Sequence, residues 1–380
     1  MGITVGIDAT RSRSGGAKAH LIGILNQDPS QYGIDKIHVW SYDSLLEQLP
    51  EVSWLIKHSP PQLKRSIFSQ LWWQYHNLSK EVTANNCDIL LNPDAGTVSR
   101  HHPCIVMSQD MLSFEENEIT RYKLFSKARL RLFLLRYMQA NSLKCADGAV
   151  FLTNYAEKII QQFSGKLKQA RIIPHGVGSV FAAEHRDDNR LINLHKPIRC
   201  LYVSNAAMYK HQWSVVKAVA MLRDIGYEVT LTLVGGGNGR AKKLMDDEIA
   251  RSDPNKEFVE TIDFIGHDEL SNILSDADIF IFASSCENMP VTLIEAMASG
   301  LPIACSDRGP MPEVLQDSAM YFDPENSASI CKAVETLIKD VKLRVKLAKQ
   351  SKKLSAQYSW ERCAGETWQF LADLSKQLTK

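Results

Sequence analysis

No run of about 18 uncharged apolar residues occurs in this chain, so no segment reads as a membrane-spanning helix. The opening residues, MGITVGIDATRSRSGG, carry no basic region followed by a long apolar core, so they do not read as a secretory signal and a cytoplasmic location is expected. An excess of one charge is also missing. Lys and Arg number 44 against 43 Asp and Glu, and a net charge of +1 excludes a general nucleic-acid binder working by bulk charge. None of the eight cysteines forms a C-x-x-C pair or stands at zinc-finger spacing from histidine, so they read as small apolar residues in a reducing compartment. Repeats and low-complexity tracts are absent as well.

What is present is ordinary globular composition, 44% hydrophobic and 23% charged, over 380 residues. That length suits two to three domains at about 150 residues each. Short apolar runs alternate with helical patterns almost throughout. Strands are expected at 3–8, 87–92, 104–108 and 148–152, and again at 198–203, 228–234, 278–283 and 301–306. Their apolar runs are continuous, as in parallel strands covered on both faces. Helices are expected at 17–25, 211–225, 239–250, 269–277 and 291–299, with a last one capped by Ser359. The polar, charged stretch 184–197 reads as a linker. Two α/β doubly wound parallel sheets follow, with ligands expected outside the carboxyl ends of the strands and a cleft between the sheets. The near-zero charge conceals a split, with 20 basic and 16 acidic residues in 1–185 and 24 and 27 in 186–380.

The most informative stretch is Ser284-Ser-Cys-Glu-Asn-Met-Pro-Val-Thr-Leu-Ile-Glu-Ala-Met-Ala-Ser-Gly-Leu-Pro-Ile-Ala-Cys305. It reads strand, tight loop, helix, Gly stop, strand. A helix start at the carboxyl end of a strand offers N–H groups and a positive dipole end to a phosphate. Glu287 and Glu295 would repel the phosphate itself but can accept hydrogen bonds from hydroxyls on either side of it. A nucleotide sugar has such hydroxyls, on its hexose and on its ribose.

This stretch resembles the E-x7-E signature of the family-4 retaining glycosyltransferases, and the motif order resembles theirs along nearly the whole chain. The wording Cys286-Glu-Asn-Met-Pro290, then Asp307-Arg-Gly-Pro-Met-Pro-Glu-Val314, is most similar to bacterial mannosyltransferases of lipopolysaccharide O-antigen synthesis. The resemblance implies a GT-B fold: two Rossmann-like domains facing a cleft, with a C-terminal helix crossing back to the first. The implied domains are 1–185 for the acceptor, 186–358 for the nucleotide-sugar donor, and 359–380 for the returning helix. It implies that Glu287 contacts the donor hexose and Glu295 the ribose, while the backbone at Asn288, Met289, Pro290 and Val291 lines sugar and phosphate.

Further loops fall into place on the same resemblance. In Val203-Ser-Asn-Ala-Ala-Met-Tyr-Lys210, Lys210 matches a lysine that holds the diphosphate, and Asn205 stands where an arginine is usual. Gly16, after Gly15, matches the first domain's glycine loop. Gln109 stands at the position of a donor-contacting histidine, followed by Asp110, which otherwise reads as a helix cap. In Ile173-Pro-His-Gly-Val177, His175 replaces an asparagine ahead of Gly176; a satisfied turn histidine is the competing account. Gly235-Gly-Gly-Asn-Gly239 lacks dinucleotide-fold spacing and reads as a flexible turn near the nucleotide. Phe264-Ile-Gly-His267 resembles the loop on the nucleobase side.

The expected reaction is hexose transfer, mannose from GDP-mannose by resemblance, to a lipid-linked oligosaccharide. Glu287, Lys210 and Asp110 are the candidates for catalysis. Neither cofactor nor metal is expected, since no D-x-D is placed to hold Mg²⁺ against a diphosphate. A UDP-sugar transferase, a nonhydrolysing nucleotide-sugar epimerase and a two-lobed sugar-binding protein remain as competing readings. Basic residues Arg121, Lys123, Lys127, Arg129, Arg131 and Arg136 cluster in a helical stretch with an apolar stripe at Leu124, Phe125, Ala128, Leu132 and Leu135. That stretch suits either peripheral contact with an anionic membrane or a domain helix with a solvated basic face. A second stripe, Ile67, Phe68, Leu71 and Trp72, is expected in the core or in an acceptor-site wall.

Overall fold

The computed structural model describes residues 2–13, 15–183 and 188–378. They divide into two compact units, Met1–Gly176 with Ser359–Lys380, and Val177–Tyr358.

The first unit is built on seven strands: β1 (Ile3–Asp8), β2 (Ile34–Trp40), β3 (Leu55–His58), β4 (Ile89–Asn92), β5 (Cys104–Met107), β6 (Gly148–Phe151) and β7 (Ala170–Ile172). Their order is β3-β2-β1-β4-β5-β6-β7, parallel at every pairing. The second unit has β8 (Ile198–Val203), β9 (Val229–Val234), β10 (Val259–Ile262), β11 (Ile279–Phe282), β12 (Ile303–Ser306) and β13 (Met320–Phe322). The order is β10-β9-β8-β11-β12-β13, again all parallel. In each sheet the order reverses once, between β1 and β4 and between β8 and β11. A crevice outside the carboxyl ends of such a strand pair is the standard ligand position of an open α/β sheet.

The central strands are those with continuous apolar runs. Every residue of β4, β5, β6, β11 and β12 is buried, which is what two helical layers on a parallel sheet demand. Five strands escape the pattern reading, and four of them (β3, β7, β10 and β13) are sheet edges. Edge strands of three or four half-exposed residues never gather a continuous run. In β2 the residues Asp35, Lys36 and His38 interrupt it.

The last helix, Trp360–Leu378, belongs to the first unit and packs on the helix Gly15–Leu25. Ser359 Oγ accepts from the Arg362 N–H at 3.1 Å, the expected cap. A Cβ on Gly23 would fall 2.3 Å from the Trp360 ring, so the helix crossing requires glycine there.

The boundary between units corrects the linker reading. Residues 184–187 lie outside the described residues, but Asp188–Ile192 is helical and integral to the second unit. Buried Arg344 donates to the carbonyls of Leu191 (2.7 Å) and Ile192 (2.9 Å), and also to Leu337 and Ile338. The break therefore falls after Gly176, not after 185. Polarity marked 184–197 as a linker, yet its carbonyls are the acceptors this guanidinium needs.

Candidate functional site

In the second unit the site forms where β8 and β11 end side by side. After β8 the chain makes an irregular loop and a short turn, Met208–Lys210, before the helix Gln212–Asp224. Gln212 Nε2 donates to Ser204 Oγ and to the Asn205 carbonyl, both at 2.8 Å. Tyr202 donates its hydroxyl to the Lys210 carbonyl at 2.7 Å. Across the switch point, the Ser285 N–H donates to the Tyr209 carbonyl at 2.8 Å, and His211 Nε2 and Ser285 Oγ share a bond of 2.8 Å. The two loops are thus tied to each other by backbone and side chain.

These ties aim Lys210 at Glu287, with which it forms a hydrogen-bonded ion pair. Lys210 Nζ also lies 5.3 Å from the centre of the Tyr209 ring and 5.4 Å from that of Phe282. Both charged side chains are largely enclosed. In such a pair desolvation offsets most of the attraction, so it adds little net stability, but losing one partner strands the other at a cost of about 3–5 kcal/mol.

Asn288, Met289 and Pro290 are buried in the same loop, and Val291 begins the helix Val291–Ala298. Pro290 at the N-cap makes no side-chain cap bond, and the positive dipole end of the helix follows the loop that carries Glu287. Glu295, on the same helix, is 2% exposed, and burial pushes its carboxyl up to about 8.

The glycine loop after β9 packs closely against the loop after β8. Gly235 sits at φ 106°, and a Cβ there would lie 2.8 Å from the Ser204 carbonyl; a Cβ on Gly237 would lie 2.8 Å from Ala206 Cβ. The Ala206 N–H donates to the Gly236 carbonyl at 3.0 Å. The loop backs the segment carrying Asn205, whose own side chain is exposed. Phe264, after β10, is also exposed, while the side chains of His267 and Asp268 lie outside the described residues.

In the first unit, Gly16 lies in the first turn of the helix after β1, beyond Ser14, which is outside the described residues. The intervening loop is organised by Asp8, which accepts from Thr10 Oγ1 at 2.7 Å and from Gln74. Arg13 lies over the Tyr42 ring at 5.0 Å and donates to Gln70 at 3.2 Å. Gln109, after β5, donates to the Pro93 carbonyl at 2.9 Å. Asp110 is exposed and accepts from the Leu112 N–H at 3.0 Å, a local turn bond.

His175 and Gly176 follow β7, and His175 packs on the helix Gly15–Leu25. His175 is 3% exposed, and its Nδ1 lies 3.0 Å from Nδ1 of buried His20; burial lowers both imidazoles, His20 to about 4. One ring donates and the other accepts, so the pair is neutral and serves as packing. A Cβ on Gly176 would fall 2.3 Å from the Trp360 backbone nitrogen. The surroundings favour the satisfied-histidine account over a donor contact for His175, and make Gly176 the point where the final helix joins. His20 carried no signal in the sequence, since 155 residues separate it from its partner.

The one D-x-D that includes a buried aspartate, Asp276-Ala-Asp278, precedes β11 and so sits at its amino end, away from Lys210; Asp278 is held by His195 at 2.8 Å. Among the described residues, His102, Cys104 and Asp147 bring ligand atoms within 4.8 Å of one another. Asp147 is already engaged by His102 (2.7 Å), the Cys104 N–H (3.0 Å) and Lys168 (3.6 Å), at the amino ends of β5 and β6. A cavity of about 510 Å³ lies over β8–β10, lined by Thr230, Thr232, Lys256 and Phe258, and contains none of the site residues.

Comparisons with known proteins bear on the family and the fold. Residues 185–354 match the family model for glycosyl transferases group 1. The amylovoran biosynthesis glycosyltransferase AmsK of Erwinia amylovora is 30% identical over 148 residues, 37% of this chain and 36% of that protein. The O-antigen chain mannosyltransferase B of Escherichia coli is 24% identical over 110 residues, 29% of each. The chain thus spans about a third of these relatives' length. Among solved structures, sucrose-phosphate synthase of Thermosynechococcus elongatus superposes with a TM-score of 0.78 at 17% identity, and Anabaena HepE in complex with UDP and glucose with 0.71 at 17%, each over 99% of both chains. At those identities the likeness is one of fold. The chain carries a glycosyl transferase group 1 domain of the family-4 type within a GT-B fold.

Proposed function

We propose that this protein is a retaining hexosyltransferase that moves mannose from GDP-mannose to a lipid-linked glycan in the synthesis of O-antigen or a related polysaccharide. The observation that carries the reading is the Lys210–Glu287 pair in the loops that lead into helices Gln212–Asp224 and Val291–Ala298, at the carboxyl ends of the switch-point strands. A lysine and an open helix start suit a diphosphate, and a carboxylate beside them suits a sugar hydroxyl. The choice of a polysaccharide product and of mannose is supported by the names of the two relatives.

In the transfer, the bond from the hexose anomeric carbon to the diphosphate oxygen breaks. A bond to the acceptor oxygen forms on the same face, and the departing phosphate oxygen takes the acceptor's proton. Negative charge grows on the leaving oxygen, so preorganised positive groups lower the barrier more than any other feature of the site. Donor binding would exchange the partners of the ion pair, Lys210 turning to the diphosphate and Glu287 to a hexose hydroxyl. Glu295 would serve the ribose, and Asn205 would donate neutral hydrogen bonds to the diphosphate. Gly16, Gln109 and Asp110, at the carboxyl ends of β1 and β5, are the first unit's contacts to sugar and acceptor. His175 and Gly176 act through packing. No metal or other cofactor has a part in this scheme, and the location is cytoplasmic.

The test combines a nucleotide-sugar screen by thermal shift and transfer with the variants Lys210→Ala, Glu287→Ala and their double. GDP-mannose should stabilise the protein most, and a UDP-sugar in its place would correct the donor while leaving the reaction. Each single variant should lose about 10²–10³-fold in turnover, the scale of one lost charge-stabilising group. The double variant strands no buried charge, so it should stay folded and equally inactive. Folded variants with near-normal transfer would refute the site.

A further inference from the structure

The helix Lys127–Cys145 exposes a different apolar stripe from the one marked in its sequence. Leu132 is buried, and the solvent face carries Leu130 (61% exposed), Phe133, Leu134 (62%) and Tyr137 (75%), with Leu124 and Phe125 (96%) in the turn before it. Positions 130, 133, 134 and 137 form one stripe at helical spacing. Neither a core helix nor a solvated basic face looks like this, because a soluble surface rarely gathers so much contiguous apolar area without a partner.

The charges frame the stripe. At about 100° per residue, Lys127 and Arg131 fall along one edge and Arg129 and Arg136 along the other. Arg129 and Arg136 lie 5.8 and 5.5 Å from the Phe133 ring. Seven basic residues and no acidic one occur from 121 to 146. Glu118 pairs with Arg121 and Glu116 with Arg136, and Asp110 acts on Arg131, whereas Lys123, Lys127 and Arg129 have no acidic partner among the described residues.

Geometry places the patch at the ligand end of the first sheet. The helix runs into β6, so its amino-terminal half points toward the strands' carboxyl ends. Nineteen residues span about 28 Å, while the four of β6 span about 13 Å, so the first turns project well past the sheet. Arg136 and Gln139 bond the loop after β5 through Ser113, and Ser142 bonds Ala95 after β4. At the same end, the helix Ile67–His76 exposes Ile67, Phe68, Trp72 and Tyr75, while its buried Gln70 and Gln74 bond Thr10 and Asp8 beyond and at the end of β1. The core expected for that stripe is therefore absent.

We propose that Leu124–Tyr137 docks this protein on an anionic lipid bilayer, with the apolar stripe in the acyl boundary and Lys123, Lys127 and Arg129 against the headgroups. Charge complementarity selects this occupant, since an apolar stripe edged by cations on both sides suits an interface that is oily within and negative at its rim. Docking there brings lipid-borne molecules to the carboxyl ends of β1, β4 and β5. Only the nature of that cargo, a lipid-linked sugar acceptor, rests on the glycosyltransferase reading.

Flotation of the full chain with phosphatidylcholine vesicles, with and without phosphatidylglycerol, tests it. The wild type should float with the anionic vesicles at low salt, weakly with the neutral ones, and less as salt rises. F125S/L130S/L134S and K123E/K127E should each lower the bound fraction about tenfold, at unchanged melting temperature and unchanged nucleotide-sugar hydrolysis. A wild type that stays in solution with both vesicles, or variants that float as it does, would overturn the proposal. So would a wild-type dimer that the apolar variant dissolves, which would put a second copy on the stripe. Flotation without sugar transfer would fail the functional reading and leave the docking standing.

Discussion

The loops at the carboxyl ends of the two sheets solve opposite problems. In the second unit the loop after β8 is locked on three sides. Gln212 holds it from its own helix, Ser285 ties it across β11, and Gly235 and Gly237 back it so closely that a methyl group would collide. Its charged groups neutralise each other as Lys210–Glu287. In the first unit the loop after β1 is held by Asp8, Gln70 and Tyr42, but a Cβ on Gly15 at the following helix start would meet nothing within 4 Å, and the helices beyond carry bare apolar side chains. A rigid, charge-paired loop suits recognition of one small ligand, because its donors need no reordering when the ligand arrives. An open, apolar rim suits a large soft surface. The contrast can be broken at several points.

The largest effect is expected at Glu295. Its carboxyl is raised to about 8 in the folded chain, against about 4.5 when unfolded. Between those values the folded state holds a proton that the unfolded state has lost, so stability falls as pH rises through this window and levels off above 8. Glu295→Gln removes the titration while keeping the shape. The variant should gain on the wild type by on the order of 3 kcal/mol between pH 5 and pH 8, read from urea unfolding at each pH. Parallel pH profiles for the two proteins would mean that Glu295 is ionised and solvated, and that this part of the second unit is as open as the first.

Next in size is the contrast between the glycines. Gly235→Ala places a side chain at φ 106° and against the Ser204 carbonyl, which should cost about 2–3 kcal/mol in stability and weaken nucleotide binding with it. Gly15→Ala, in open space at a helix start, should be neutral or gain up to about 1 kcal/mol. Thermal melts of the two variants with and without GDP decide the matter. Equal losses would show the first unit's loop to be as tightly built as the second's.

Much of this contrast could be read from sequence on one side only. The strand–loop–helix carrying Glu287 and Glu295 announces itself because its chemistry is local: a buried strand, a proline before the helix, a glycine stop, all within 22 residues. Lys210 was legible only through the family resemblance, since a lone lysine after a strand reads as a solvated surface charge. The tie to Glu287 was not, since 77 residues separate them, nor was the clash that fixes Gly235, which depends on which backbone lies behind it. The edge strands β3, β7, β10 and β13 lack the apolar run that marks a strand covered on both faces. The helix Lys127–Cys145 misled for a further reason. Its apolar residues occupy both faces, and periodicity alone cannot tell which stripe is covered. Leu132 and Leu135 were marked as the apolar stripe, yet Leu132 is buried and Leu135 half-buried, while Leu130 and Leu134 face outward. His175 was open to a packing role from the start, but its partner His20 was beyond reach.

The smallest effect bears on what the locked loop still lacks. Asn205 is exposed at the end of β8, within the segment that Gln212 and the glycine loop hold in place. If that segment faces a diphosphate, Asn205→Arg adds a charge-assisted bond where a neutral one stood, a difference of about 1 kcal/mol. The dissociation constant for GDP or UDP should then fall about fivefold, with a steeper dependence on salt than the wild type shows. Calorimetry at two ionic strengths measures both. Because the backbone there is already fixed, the added arginine needs no loop rearrangement to reach its ligand. Unchanged affinity would therefore mean that the diphosphate lies elsewhere along the rim, with Lys210 and the start of helix Val291–Ala298 as its recognition elements.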